Sequence, residues 1–172
     1  MTVKKITSIG LMTAFLCIMA PWAIHIGPVP ITLATFGLYL VSAVLGEKYV
    51  TVSVVIYLIL GAVGVPVFSG FSGGIQRLVG MTGGYLLGYV PCAFVTGLII
   101  SKTKKHFIWY LVAMLIGTVI LYSIGTAWYI WQTGNTFFAA LGLCVVPFLP
   151  GDIIKIVAAS VLGFELNKRL KL

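Results

Sequence analysis

The sequence predicts an all-α integral membrane protein with six transmembrane helices, in a single membrane domain over residues 1–172, and three observations lead there. Hydrophobic residues make up 60% of the chain and charged residues 8%, where a water-soluble domain carries about 25% charged residues. The apolar residues gather into runs that suit lipid, separated by short polar or Gly/Pro-rich breaks. The basic residues lie in clusters between those runs, a pattern that orients a membrane protein. It is not the single basic face that would indicate nucleic acid, so no nucleic-acid partner is expected.

The first span runs from Ile6 to about Ile26, behind Lys4 and Lys5. A basic start before an apolar run also marks a signal peptide, but comparable runs follow along the whole chain, so a retained membrane helix is expected. Gly10 and Ala14 put two small residues on one helix face, which lets a second helix come close. That helix belongs either to this chain or to a partner protein. Gly27-Pro28-Val29-Pro30 must break the helix, since proline removes a donor and clashes with the preceding turn.

The second span, Ile31 to Leu45, has 15 residues against the about 20 that a crossing needs, and it presents Thr32, Thr35 and Tyr39. Gly46-Glu47-Lys48 is a turn, and Tyr49 to Val65 forms the third span. Gly61 to Gly88 then holds nine of the twenty glycines and a single charge, Arg77. Glycine allows main chain to approach a ligand or helix closely. The stretch therefore reads either as a lid or pocket wall, or as an ordinary membrane-protein loop with small-residue packing.

Met81 to Ile100 is the fourth span, with Pro91 as a kink, ended by Lys102, Lys104, Lys105 and His106. The fifth, Phe107 to Trp131, closes on Trp128, Tyr129 and Trp131, aromatics suited to a membrane interface. Phe137 to Leu149 is apolar but too short to cross alone. Half-span, re-entrant piece and cap all stay open for Phe137 to Val146. The sixth span starts at about Gly151 and ends at Leu166. With six spans, one side collects Lys4, Lys5, Lys48, Lys102, Lys104, Lys105, Lys168, Arg169 and Lys171. Both termini are then cytoplasmic by the positive-inside rule, and Arg77 faces outward.

Asp152 and Lys155 are the ionisable pair placed inside an apolar span. Spacing of i, i+3 brings them together on one helix face, and charges at such depth usually face the protein interior or a water-filled cavity. They read as a binding site for a small, anionic molecule in the outer half of the membrane, with a purely structural ion pair as the bland alternative. Asp152 also suits the first turn of its helix, where the dipole favours a carboxylate. Cys17, Cys92 and Cys144 lie in apolar runs with no metal-ligand spacing, and His25 and His106 sit at opposite faces, so no metal site is expected. There is no Walker A sequence, and any ATP must be hydrolysed by another chain.

Gly27-Pro28-Val29-Pro30-Ile31-Thr32-Leu33, Thr35-Phe36-Gly37, Tyr57 to Gly61, Gly64-Val65-Pro66-Val67-Phe68, Gly80-Met81-Thr82-Gly83-Gly84-Tyr85-Leu86-Leu87-Gly88 and Pro150-Gly151-Asp152 with Lys155, taken in order, resemble the BioY family. Its members are the biotin-binding S components of energy-coupling factor (ECF) vitamin transporters. Met81 stands where the family commonly has proline, which leaves that loop exit less rigid. The resemblance implies an ECF S-component fold that captures biotin from outside, for uptake across the cytoplasmic membrane of a bacterium. It implies a transmembrane coupling protein and two cytoplasmic ATPases as partners, with ATP hydrolysed there and no cofactor expected on this chain; the residues hold no acid–base or metal set, so no enzymatic activity is expected. Asp152 and Lys155 match the family's biotin contacts, and Gly10 and Ala14 match its coupling surface. A ureido ring offers N–H donors to Asp152 and a carbonyl to Lys155, while Gly83 of the glycine-rich stretch, Phe68 and Tyr85 cover the apolar body. Arg77 lies outside the matched residues and is assigned by charge to the valerate carboxylate. An S component for another vitamin, and a structural membrane subunit in which Asp152 and Lys155 merely pair, are the alternatives.

Overall fold

The computed structural model describes residues 3–24, 29–103 and 106–170. It is a helical bundle in which α1 (Val3–Met19), α2 (Ala34–Leu45), α3 (Glu47–Ala62), α5 (Gly83–Thr103), α6 (Phe107–Thr133) and α8 (Leu149–Leu170) are the long elements. Between them lie α4 (Ile75–Val79), α7 (Phe137–Cys144) and a two-stranded antiparallel pair, β1 (Ala23–Ile24) with β2 (Ile31–Thr32). Helices α5 and α6 are long and apolar enough to cross a membrane. The α7–α8 pair, bent by 54° at its break, passes the same test as a unit.

At its 12 residues α2 spans about 18 Å, yet nearly every side chain along it is buried. Helices α8 and α5 flank it, and α5 packs in turn on α3 and α6. Close approach rests on small residues: a Cβ on Gly163 of α8 would lie 2.6 Å from the Ala43 Cβ of α2. The outer faces carry Leu115, Ile116 and Val119 on α6 and Ile153, Ile154, Val157 and Val161 on α8, all exposed. Apolar side chains pointing away from the core are what lipid contact requires.

Several expected boundaries change. The first span does not continue to Ile26 as a helix: α1 stops at Met19 because Pro21 follows, and the residue before a proline is pushed out of helical geometry. The chain then enters β1. The second span does not begin as a helix at Ile31, because Ile31 and Thr32 pair with β1, and helix starts only at Ala34. The third stops at Ala62 instead of Val65, and the sixth begins at Leu149, with Pro150 in its first turn where proline's missing N–H is tolerated. Phe137 to Cys144 is a separate short helix, joined to α8 by a tight turn. Trp128 and Tyr129 turn inward, and Trp131 alone of that trio stays largely exposed. The break at Gly27-Pro28, the residues His25 and Ile26, and Lys104, Lys105 and Lys171 lie outside the described residues.

The glycine-rich stretch folds back on the bundle. Gly74 donates to the Gly61 carbonyl at 2.7 Å, and Gly70 donates to the Pro21 carbonyl at 2.9 Å. Trp22 and Phe71 meet edge to face at 5.8 Å. Gly61 leaves room for the Phe68 ring, which would collide with any Cβ there. Trp128 Nε1 donates to Gly80 O at 3.0 Å and Gln132 Nε2 to Val79 O at 2.7 Å, so the end of α6 fastens the turn after α4.

Candidate substrate-binding site

Helix α8 turns Asp152, Lys155, Ile156, Ala159, Ser160 and Gly163 toward the bundle while its outer face is apolar. The helical period alone delivers both charges to the interior. Asp152 is 4% exposed. Its Oδ1 accepts from Lys155 Nζ at 2.9 Å, and its Oδ2 accepts from the Tyr122 hydroxyl on α6. Lys155 Nζ also donates to Thr35 Oγ1 on α2 at 3.4 Å. Three helices therefore converge on one carboxylate–ammonium pair, and each charge keeps hydrogen-bonding capacity for a ligand.

The pair opens onto a chamber lined also by Thr32, Tyr85, Tyr89 and Phe148. A second chamber, bounded by Tyr57, Phe68, Ser69, Arg77 and Thr82, shares Val29, Pro30, Thr32, Tyr85 and Tyr89 with the first. Tyr85 is fixed at this shared wall: its hydroxyl hydrogen-bonds Thr126 Oγ1 at 3.1 Å and donates to Cys144 O at 3.4 Å, and Gly125 makes room for its ring. Phe68 packs edge to face on Tyr57 at 5.7 Å, and Tyr57 donates to Val67 O at 3.2 Å. One cation thus stands at one end, an ion pair at the other, and aromatic rings between them. Each chamber holds about 40 Å³, whereas pockets that enclose a small organic ligand measure about 300–1,000 Å³.

Of the expected site residues, Asp152, Lys155 and Tyr85 share one chamber, and Phe68, Arg77 and Tyr85 share the other. Gly83 lines neither: its Cα packs against the Leu78 backbone, so its part is to seat α5 on α4. Gly10 and Ala14 face outward, with nothing within 4 Å of a Cβ placed on Gly10. The packing face of α1 is instead Ile9, Thr13 and Leu16, and Thr13 donates to the Ser53 carbonyl at 3.3 Å. Tyr122 and Tyr89 join the site without a place among the residues expected from sequence. The i, i+4 spacing of Tyr85 and Tyr89 is a readable signal; Tyr122 has none, because its partner lies on another helix.

The fold and this site define a class: a helical membrane protein with a buried carboxylate–ammonium pair facing internal chambers. The family model described as "BioY family" matches residues 1–172, and the chain belongs to that family. It is 40% identical over 168 residues to the biotin transporter BioY of Thermotoga maritima, covering 96% of each chain. It is 39% identical over 167 residues to the probable biotin transporter BioY of Pyrococcus horikoshii, covering 97% of this chain and 98% of that one. A crystal structure of the S-component for biotin from an ECF-type ABC transporter superposes with a TM-score of 0.88 at 31% identity, covering 98% of this chain and 95% of the other.

Proposed function

We propose that this chain is the biotin-binding S component of an ECF-type vitamin importer, catching biotin on the outer side of the cytoplasmic membrane of a bacterium. The observation that carries the reading is the buried Asp152–Lys155 pair, held by Tyr122 and Thr35 on an α8 whose opposite face is apolar. The names of the relatives and of the superposed structure support the choice of biotin. In this reading the ureido N–H groups donate to Asp152, Lys155 donates to the ureido carbonyl, and Tyr85 and Phe68 cover the apolar rings and chain. Arg77 takes the valerate carboxylate in the adjoining chamber. Burying such partners gives selectivity, since a ligand lacking a donor leaves a desolvated group unpaired.

The chain crosses six times, with α7 completing the bent α8 crossing and both termini cytoplasmic. A transmembrane coupling protein docks at the outward Gly10–Ala14 face of α1, and two cytoplasmic ATPases hydrolyse the ATP, with no cofactor on this chain. The test is equilibrium binding of labelled biotin to the detergent-purified chain, competed with unlabelled biotin, thiamine and riboflavin. Displacement by biotin alone is expected. Displacement by another vitamin, or no binding by a folded preparation, would overturn the assignment.

A further inference from the structure

A cavity of about 440 Å³ lies at the other end of the bundle, where the N-terminal ends of α1 and α3 meet the C-terminal ends of α2, α5 and α8. Its floor includes the apolar Val44, Leu45 and Ile100, and its rim carries Lys4, Lys5 and Lys48 against one carboxylate, Glu47. Lys5 Nζ stands 5.2 Å from the centroid of the Tyr49 ring, a cation–π contact that holds the ammonium at the mouth. Lys102, Lys168 and Arg169 belong to the same end of the bundle but do not line the cavity.

We propose that this cavity binds the phosphate headgroup of an anionic membrane lipid. The three ammoniums meet the phosphate, and the glycerol and first acyl carbons lie on the apolar floor. Basic pockets between helices on the cytoplasmic side favour such lipids, so the proposal rests on the orientation given above. A free phosphate satisfies the lysines but leaves the floor unused; a zwitterionic lipid uses the floor but brings its own cation to the lysine rim.

The test uses the full chain in detergent, titrated with a short-chain phosphatidylglycerol, with phosphatidylcholine of the same chain length and with inorganic phosphate, reading the thermal unfolding midpoint. Phosphatidylglycerol is expected to raise the midpoint and the other two are not. Lys4→Gln/Lys5→Gln/Lys48→Gln should need at least about tenfold more phosphatidylglycerol for the same rise. Biotin binding, measured in parallel, should be unchanged, which separates failure of this site from failure of the vitamin site. If the triple variant does not fold, Lys48→Gln alone carries the comparison, with Lys168→Gln as the variant expected to behave as wild type. Equal rises with phosphatidylcholine, or an undiminished response in the lysine variants, overturn the proposal. An equal rise with inorganic phosphate overturns the lipid in favour of a free anion. Lysine-dependent retention of the energising partner without any lipid effect would assign the cavity to an acidic partner segment.

Discussion

Helix α8 carries two acid–lysine pairs of identical spacing, Asp152–Lys155 near its start and Glu165–Lys168 near its end. The first closes at 2.9 Å with Lys155 and Asp152 side chains 12% and 6% exposed; the second closes at 3.4 Å with Lys168 and Glu165 58% and 49% exposed. Lys168 also lies over the Phe164 ring at 4.1 Å. Sequence spacing gives both pairs the same local chemistry. What separates them is which face of α8 looks into the bundle and what waits there: Tyr122 and Thr35 for the first pair, solvent for the second. An exposed pair is worth about 0–1 kcal/mol. Removing one partner of a buried pair costs about 3–5 kcal/mol, because a desolvated charge is left behind.

The largest effect that sharpens this contrast comes from Lys155→Ala. It should abolish measurable biotin binding and lower the unfolding midpoint, since Asp152 loses its counter-charge; thermal unfolding and labelled-biotin binding check both. Next comes Arg77→Gln. It should weaken biotin about tenfold or more, as expected for a charge-assisted hydrogen bond of about 1.5–3 kcal/mol, while the methyl ester of biotin binds native chain and variant alike. An equal loss for the ester would remove Arg77 from the carboxylate. Tyr122→Phe removes one hydroxyl donor from Asp152 and should cost about 0.5–1.5 kcal/mol in biotin affinity by calorimetry; an unchanged affinity would leave Tyr122 a packing residue. Lys168→Ala should alter neither binding nor stability beyond about 1 kcal/mol, and a loss comparable to that of Lys155→Ala would erase the distinction between the pairs.

The site's charges were legible in the sequence because an acid and a lysine inside an apolar run are costly in lipid and therefore mark an interior or functional position. Phe68 and Tyr85 were legible as aromatics within the glycine-rich stretch through the family resemblance, but the shared wall they help build depends on how α3, α5 and α6 pack, which no local pattern encodes. The hydroxyl of Tyr122 reaches Asp152 across 30 positions of sequence, and only the α6–α8 contact reveals it. The early end of α1 at Met19 departs from the expected bound at Ile26, and Pro21 is the local signal that this bound passed over. The β1–β2 pair was not readable, since Ile31 and Thr32 continue an apolar run and short apolar runs do not separate strand from helix by periodicity. The residues Phe137 to Val146 left three readings open because an apolar half-span, a re-entrant piece and a cap look alike in sequence, and the 54° bend between α7 and α8 is common to a broken span and a re-entrant loop.

The most direct test of the claim that Asp152 is the ligand's anchor is Asp152→Asn, which keeps side-chain size and removes the charge. Equilibrium binding of labelled biotin is measured beside the thermal midpoint of the same preparation. A loss on the order of a hundredfold or more in affinity, about 3 kcal/mol, from a folded variant is the expected result. Unchanged affinity in a folded variant would contradict it and leave the pair as structure alone.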